Sequence, residues 1–575
     1  MRHILTLALA AIAAIAPHHA AAQTAPTVPA SIDDVFAPVR VATAPSDAYI
    51  GLALMPDGEV RHYNYGEQAA AGSFYLSSRD HGLTWTRVKT VHDVPQADTR
   101  SPISGEYLRL AYGGGSSTVC IRTRGGVDGD RTVTRVSDLP SIMLKPPVFV
   151  RGGRRVVVCG HGGVDPKGCY CYISDDDGLS WRRSQTVTVP PHRGGGFHQG
   201  IRWNHGAVEP TVTELADGRL WMLIRTAQDY HYEAFSDDGG ETWSEARPSR
   251  FYGTITMPTF HRLADGRLLL FWCSTTPLPE LPTANGVWDD VFTNRDVTHV
   301  AISSDDGKTW TGCRELYLNP LRDAADFGTM GGGIDKSVHQ AQCVEVAPGK
   351  ICVALGQHEV LRSIVLFDVE WLNEAERADD FSHGLADWTT FCYRRGIVGH
   401  CAYNRVAGCR LEPHSADAGR SMLRVCYERD TTLVCDSRGA VWNFPTLHRG
   451  SLDVGISIPR GQQRVRLLLN DHWYNPSDSV ARTDCMYDLA LDRRQLGIGD
   501  DGFHTLSLTW DLEAAKAADR CAVVTVDGRR RVRLPLLKEA PLGISYVHFL
   551  ALPCEEGAPG VCIDRVASRQ PRRVK

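Results

Sequence analysis

Glu209-Pro-Thr-Val-Thr-Glu-Leu-Ala-Asp-Gly-Arg-Leu-Trp-Met-Leu-Ile-Arg225 decides the fold, together with the eighteen residues that follow it as far as Trp243. Val212 to Leu215 alternates as a half-buried strand, and Asp217-Gly218 is a two-residue hairpin signal. Leu220 to Ile224 is a second apolar strand that delivers Arg225 at its far end. Tyr230 to Phe235 is a third strand, and it runs into Ser236-Asp-Asp-Gly-Gly-Glu-Thr-Trp243. The hairpin places Glu209 and Arg225 at one end, facing the same way. The unit reads as one blade of a β-propeller.

The closing octapeptide recurs. Ser78 to Trp85, Ser174 to Trp181 and Ser303 to Trp310 repeat the Ser-x-Asp-x-Gly-x-Thr-Trp pattern, with Ser180 in place of Thr in the second of them. In such a turn Asp accepts backbone N–H groups, Gly supplies a left-handed position, and Trp packs beneath the adjoining strand. A second signal is independent of the first. Asp57-Gly58, Ser104-Gly105, Gly152-Gly153, Asp217-Gly218, Asp265-Gly266 and Pro348-Gly349 each precede an apolar strand, and several neighbours lie just under fifty residues apart. That interval is close to a four-stranded blade. Six blades are expected from about 35 to about 373, with insertions near Pro190–His205, Thr275–Asp290 and Tyr317–Asp335.

Length and composition agree with two domains. The chain has 575 residues, 43% hydrophobic and 22% charged, and a net charge of −5 with both signs dispersed. No nucleic-acid partner and no anionic membrane surface is implied. Residues 1–23 carry Arg2 and His3, the apolar run Ile4 to Ala16, and then Ala20-Ala21-Ala22. This reads as a secretory signal too short to span a bilayer, so a secreted or periplasmic monomer is expected. In that compartment the 17 cysteines are allowed to pair, and the odd number leaves at least one over. No zinc-ligand spacing occurs, and no step of the chemistry below requires a metal or other cofactor.

After Glu370-Trp371-Leu372 and a charged linker, Asn373 to Asp380, short alternating strands resume. Leu452 to Ile458, Arg464 to Leu469, His504 to Trp510 and Cys521 to Val526 are examples, and Gly560 to Arg565 is a returning strand beside the opening one. A β-sandwich of the lectin or laminin-G kind is expected over 379–570. Trp442, Trp473 and Tyr474 would stack on sugars or, as the commoner case, pack in the core.

Corresponding positions of successive blades form a ring at a propeller's funnel. Seven or eight residues past the hairpin glycines stand Tyr65, Tyr112, His161, Arg225, Cys273 and Gln357; about nine before them stand Tyr49, Lys145, Glu209, Met257 and His339-Gln340. Cations outnumber carboxylates, so Arg225, Lys145 and Arg295 suit an anionic substrate such as a sugar carboxylate. Glycines crowd His161, His198 and His205, as at the rim of a tight pocket.

The four octapeptides and the six-blade count resemble the sialidase superfamily, where Asp-boxes of this form sit on a six-bladed propeller away from the catalytic face. The Glu209 strand pair and Arg225 match that family's motif and spacing, and Arg295, eight residues before Ser303, matches a further arginine. The resemblance implies that Glu209 tunes the nucleophile while Arg225 and Arg295 grip a carboxylate. Three positions depart from the pattern. Tyr49 stands where the first arginine belongs, Glu67 is the nearest group to the acid/base Asp, and His339 stands where the nucleophilic Tyr belongs. These departures count against sialic acid hydrolysis through a tyrosyl intermediate.

Two mechanisms remain open. A glycoside hydrolase removing a terminal acidic sugar would use Glu67 and Glu209 as its carboxyl pair, with His339 positioning water or replacing the tyrosine. A polysaccharide lyase would use His161 or His339 as base while Arg225 and Lys145 neutralise a uronate carboxylate. A glycan-binding propeller without turnover is the third reading.

Overall fold

The computed structural model describes residues 31–36, 39–43, 51–63, 74–89, 98–112, 117–126, 129–142, 144–162, 167–191, 206–253, 255–275, 295–323, 337–356, 362–393, 405–433, 437–462, 464–555 and 557–571. The expected signal segment lies outside these residues, as does most of each expected insertion.

Among the described residues, six four-stranded antiparallel sheets follow one another along the first two thirds of the chain. Five are simple meanders, over 52–89, 99–137, 148–183, 208–252 and 259–318. The sixth takes three strands from 342–368 and its fourth, Val39–Thr43, from near the beginning of the chain; that strand pairs with Ser363–Asp368 from Val39 opposite Phe367 to Thr43 opposite Ser363. Each of the six expected hairpin turns joins the first two strands that 52–368 contributes to its sheet. Gly58, Gly105, Gly153, Gly218, Gly266 and Gly349 all adopt positive φ there, between 72° and 89°, where a side chain would be strained.

Burial closes these sheets into a β-propeller. An apolar cluster joins each sheet to the next: Tyr63 and Tyr107 between the first and second, Leu110 and Val158 between the second and third, Cys159 and Met222 between the third and fourth. Leu223 and Leu270 join the fourth to the fifth, and Phe271 and Val353 the fifth to the sixth. Cys352 and Leu366, with Leu52 and Trp85 against them, return the sixth to the first. Alternation explains why one strand serves two clusters: Leu223 and Met222 are consecutive and point to opposite faces.

The four Asp-box turns share the Gly amide to Ser Oγ bond and the Thr or Ser hydroxyl to Asp bond, and those ending at Trp181, Trp243 and Trp310 add a bond from Trp Nε1 to the Gly carbonyl. In the copy beginning at Ser236, the Gly240 amide donates to Ser236 Oγ at 2.8 Å, the Thr242 hydroxyl to Asp238 Oδ2 at 2.6 Å, and Trp243 Nε1 to the Gly240 carbonyl at 3.1 Å. Gly240 has φ 99°. The turn also docks on the preceding sheet: Arg155 Nη1 donates to the Asp238 and Gly239 carbonyls at 3.0 and 3.1 Å, and the Trp243 amide donates to Gln185 Oε1 at 3.0 Å.

Among the described residues, the carboxy-terminal part forms two large sheets, of eight and five strands, and a two-stranded one, Cys392–Tyr393 with Arg405–Val406. The two large sheets share one core in which Leu452, Val454, Leu506 and Val524 of the eight-stranded sheet meet Trp442, Leu467, Leu469 and Phe549 of the five-stranded one. Cys521–Val526 and Val561–Arg569 are strands, as expected. The expected linker differs: Arg377–Asp379 is an edge strand that pairs with Val561–Arg569, Arg377 opposite Ser568. Its charge suits a sheet edge as well as a linker. Trp442, Trp473 and Tyr474 are buried, at 0%, 0% and 2% exposure, so they pack rather than stack on sugars. All the described cysteines are free thiols, including Cys159 and Cys171, which face each other across one strand pair. No helix among the described residues is long and apolar enough to cross a membrane.

Candidate active site

The site grows from an irregularity in one strand. Val208 pairs with Arg225 but Thr211 with Leu223, so one extra residue bulges from the strand at Glu209-Pro210. Pro210 has no N–H to give a ladder, which places it naturally in a bulge. Glu209 adopts φ 43°, a left-handed conformation that costs a non-glycine residue about 1–3 kcal/mol. Its Oε2 lies 2.5 Å from Arg225 Nη1 across the hairpin.

The neighbouring sheet props the bulge from behind. The Glu209 amide donates to His161 Nδ1 at 3.2 Å, and the Cys159 thiol donates to the Pro210 carbonyl at 3.2 Å. With Nδ1 accepting, a neutral His161 carries its proton on Nε2. Burial pushes this imidazole down to about 4, against the opposing pull of Glu209, so it is neutral near pH 7. Burial also pushes the Lys145 ammonium down to about 8, against Cys159 and Glu209 and assisted by Arg225. Glu209 itself is pushed up by burial, but Arg225 above all, with His161 and Lys145, outweighs that and holds it below the usual carboxylate range. One ionised carboxylate therefore sits among a buried Arg225, a half-buried Lys145 and a buried neutral histidine.

Arg295 and His339 form a second group. Arg295 Nη1 lies 3.2 Å from His339 Nε2, and its Nη2 donates to the Ile255 carbonyl. The Met257 amide donates to His339 Nδ1 at 3.3 Å. A neutral imidazole has one acceptor nitrogen, so the Met257 amide and the Arg295 guanidinium compete for it. The Val338 amide donates to the Arg295 carbonyl at 2.9 Å.

The two groups are joined through the backbone. The Ile255 amide donates to the carbonyl of Thr226, the residue after Arg225, at 2.8 Å, and the Ile255 side chain packs on Ala227. Ile255 has φ 51° and Gln340 φ 64°. A β-branched residue with positive φ is an outlier. His81, Arg151, Asp177, Asp306, Phe381 and Asp527 share the conformation in turns and bends; Glu209 sits in a strand bulge, and Ile255 and Gln340 in the segments that lead into the next strands, around the two arginines. Strain of this kind collects at sites whose geometry is over-determined by their surroundings.

The structure thus brings together Lys145, His161, Glu209 and Arg225, and separately Arg295 and His339, linked through Thr226 and Ile255. Tyr49, Glu67 and His205 lie outside the described residues. Sequence reasoning missed Ile255, which looks like any core residue, and His231. That imidazole is fully buried beside Ile224 and Arg225, with burial pushing it down to about 3. It leaves no room at Gly253, where a Cβ would stand 2.2 Å from His231 Nε2.

Residues 52–325 match the family of BNR repeat-like domains. Among solved structures, a protein of unknown function from Dyadobacter fermentans is 17% identical, with 58% of this chain and 98% of that chain covered at a TM-score of 0.39. The Trypanosoma rangeli sialidase is 13% identical over 92% of this chain and 91% of its own, at a TM-score of 0.32. The α-L-arabinanase of Penicillium chrysogenum, complexed with arabinobiose, is 13% identical over 58% and 98%, at a TM-score of 0.34.

Proposed function

We propose that this chain, whose residues 52–325 match BNR repeat-like domains, is a sialidase-superfamily protein and a secreted glycoside hydrolase that removes a terminal acidic sugar from a glycan or polysaccharide. In this reading the six sheets of residues 35–373 are the six blades of the propeller. Residues 379–570 are a lectin- or laminin-G-like β-sandwich packed beside them, and the mature protein acts as a monomer in the secreted or periplasmic space.

The observation that carries the proposal is the buried Glu209–Arg225 pair at a strained strand bulge, with Lys145 beside it and Arg295 one backbone link away. Arginine presents a planar fork that binds a carboxylate in two-point fashion, so Arg225 and Arg295 would grip the acid group of the sugar. Glu209 is held ionised, which suits the base rather than the acid of a carboxyl pair. It would take a proton from water as the water oxygen bonds to the anomeric carbon. The glycosidic C–O bond then breaks, and Glu67 would give its proton to the departing oxygen. His339 would serve by orienting Arg295.

A panel of glycosides and acidic polysaccharides tests this. Release of reducing sugar from an acidic substrate, lost in Glu209→Gln, supports the hydrolase. Absorbance of an unsaturated uronate would move the activity to a lyase, and retention on a glycan array without turnover would leave a binding protein.

A further inference from the structure

Among the described members of the site, Arg295 is the one whose chain neighbour is held by the carboxy-terminal part of the protein. Asp296 is 1% exposed, and the guanidinium facing it, Arg405, is fully buried. Their contact is bidentate: Arg405 Nη1 donates to Asp296 Oδ1 at 2.8 Å and Nη2 to Oδ2 at 2.6 Å. Arg405 comes from a short strand, Arg405–Val406, that pairs with Cys392–Tyr393, well past the sixth four-stranded sheet. It is itself held twice more, by donation from Nη1 to the Arg322 carbonyl at 3.0 Å and by the Phe391 ring 4.2 Å from its Cζ.

Asp296 is fixed at its other polar atoms too. Asn319 Nδ2 donates to Oδ1 at 3.0 Å, and the Asn319 amide donates to the Asp296 carbonyl at 2.7 Å. Both carboxylate oxygens and the backbone carbonyl are therefore engaged. On its amino side stands Arg295, whose carbonyl takes the Val338 amide and whose guanidinium meets Ile255 and His339. A buried ion pair is weak evidence for stability, because desolvation of both charges offsets their attraction. What such a pair supplies is a defined geometry, and here the geometry it defines is the departure point of the Arg295 side chain.

We propose that Arg405 is a positioning residue for Arg295: the carboxy-terminal part reaches through Asp296 to set one of the two arginines of the site. It touches no substrate. The inference rests on the proposed role of Arg295 in gripping a carboxylate, and it predicts that the propeller sheets alone form an incomplete site.

The test uses the full chain with Arg405→Lys, which keeps the charge but cannot form the two-point contact. The double variant Asp296→Asn/Arg405→Met leaves neither charge buried and serves if the single variant fails to fold. Hydrogen exchange is followed in peptides covering Ile255–Met257, Val338–Gln340 and Cys392–Val406. Displacement of Arg295 speeds exchange at the Met257 and Val338 amides at least tenfold. Faster exchange confined to Cys392–Val406 would assign Arg405 a local structural role and overturn the proposal. Calorimetric titration with galacturonate, N-acetylneuraminate and uncharged galactose supplies the second readout. Roughly tenfold weaker binding of whichever acid the wild type binds, with galactose unchanged, is expected; equal binding of that acid by variant and wild type overturns the proposal. A wild type that binds neither acid removes the acidic-sugar reading instead, and the exchange at Met257 and Val338 still decides the role of Arg405.

Discussion

Among the described residues, Arg225 and Lys145 gather around the carboxylate of Glu209, whereas at the boundary with the carboxy-terminal sheets cations and carboxylates are matched more evenly. Arg405 takes Asp296 in a two-point contact. His472 lies between Asp471 and Asp484, its Nε2 3.5 Å from Asp484, while Lys538 also reaches Asp484. The His472 ring stacks on Tyr252 of the fourth sheet at 3.7 Å and 18°. A hydrogen-bond chain crosses the same boundary. The Ser274 amide donates to His299 Nδ1 at 3.0 Å, His299 Nε2 lies 2.6 Å from the Tyr546 hydroxyl, and that hydroxyl donates to Glu315 at 2.7 Å. Where the chain answers its own charges, the contacts hold the carboxy-terminal sheets against the propeller sheets. Where positive charge is in excess, an anion from outside can complete it.

The largest expected effects follow from breaking the unbalanced side. Glu209→Gln should lower kcat on an acidic glycoside by on the order of 10²–10³-fold, as loss of a preorganised charge does. Arg225→Ala should do the same and also strand Glu209 as a buried charge without its partner, at a stability cost of about 3–5 kcal/mol. Urea melts beside steady-state kinetics separate the two effects. Near-normal kinetics in both variants would show that the site is elsewhere.

That contrast also explains how much the sequence disclosed. Glu209 and Arg225 were legible because both sit at fixed distances from Asp217-Gly218, and a hairpin's register follows from its turn. The Asp-boxes were legible because a local turn needs its residues in a fixed order. Ile255 was not: its importance lies in a positive φ and in a hydrogen bond to Thr226, and neither leaves a mark on residue type. Nor was Arg405, since its partner Asp296 is more than a hundred positions away and a lone arginine in a strand-rich stretch carries no pattern. The closing strand Val39–Thr43 was hidden for the same reason: its partner Ser363–Asp368 lies at the far end of the propeller.

Acidity should act on the two assemblies with opposite sign. His161 is held neutral down to about 4 in the folded protein. An unfolded histidine takes a proton near 6.5, so the stability tied to His161 is present above that pH and is lost as pH falls toward 4. Glu315 is the reverse case, pushed up to about 7 by burial against the Tyr546 hydrogen bond. Its contribution is complete below about 4.5 and lost as pH rises through 7. Each amounts to on the order of 3 kcal/mol. Chemical denaturation of wild type and Glu315→Gln from pH 4 to 8 isolates the second contribution. The difference between them should grow in favour of the variant as pH rises from 4.5 to 7.5, and a pH-independent difference would remove Glu315 as its source.

A smaller effect tests how tightly the balanced and unbalanced sides are packed. Gly253→Ala places a methyl carbon 2.2 Å from His231 Nε2 unless something moves. Overpacking of this kind costs about 1–3 kcal/mol. Because His231 lies beside Arg225, the variant should also weaken binding of an acidic sugar severalfold, whereas the Tyr252–His472 stack next to it has no reason to change. Melting and titration of the same preparation check both halves.

The smallest effect belongs to a part of the molecule on neither side of the comparison. Trp243→Phe removes the Nε1 bond to the Gly240 carbonyl but keeps an aromatic ring in its apolar surroundings. The loss should be about 1 kcal/mol, the net value of one hydrogen bond. The Asp-box spends its polar groups within the turn and on Arg155, Arg182 and Gln185 of the preceding sheet and its loop, and the strand Tyr230–Ser236 separates it from Arg225 along the chain. Binding and turnover should therefore be those of the wild type. A kinetic defect in Trp243→Phe, at a stability loss this small, would mean that the turns report to the site after all, and that strand bulge and Asp-box move as one body.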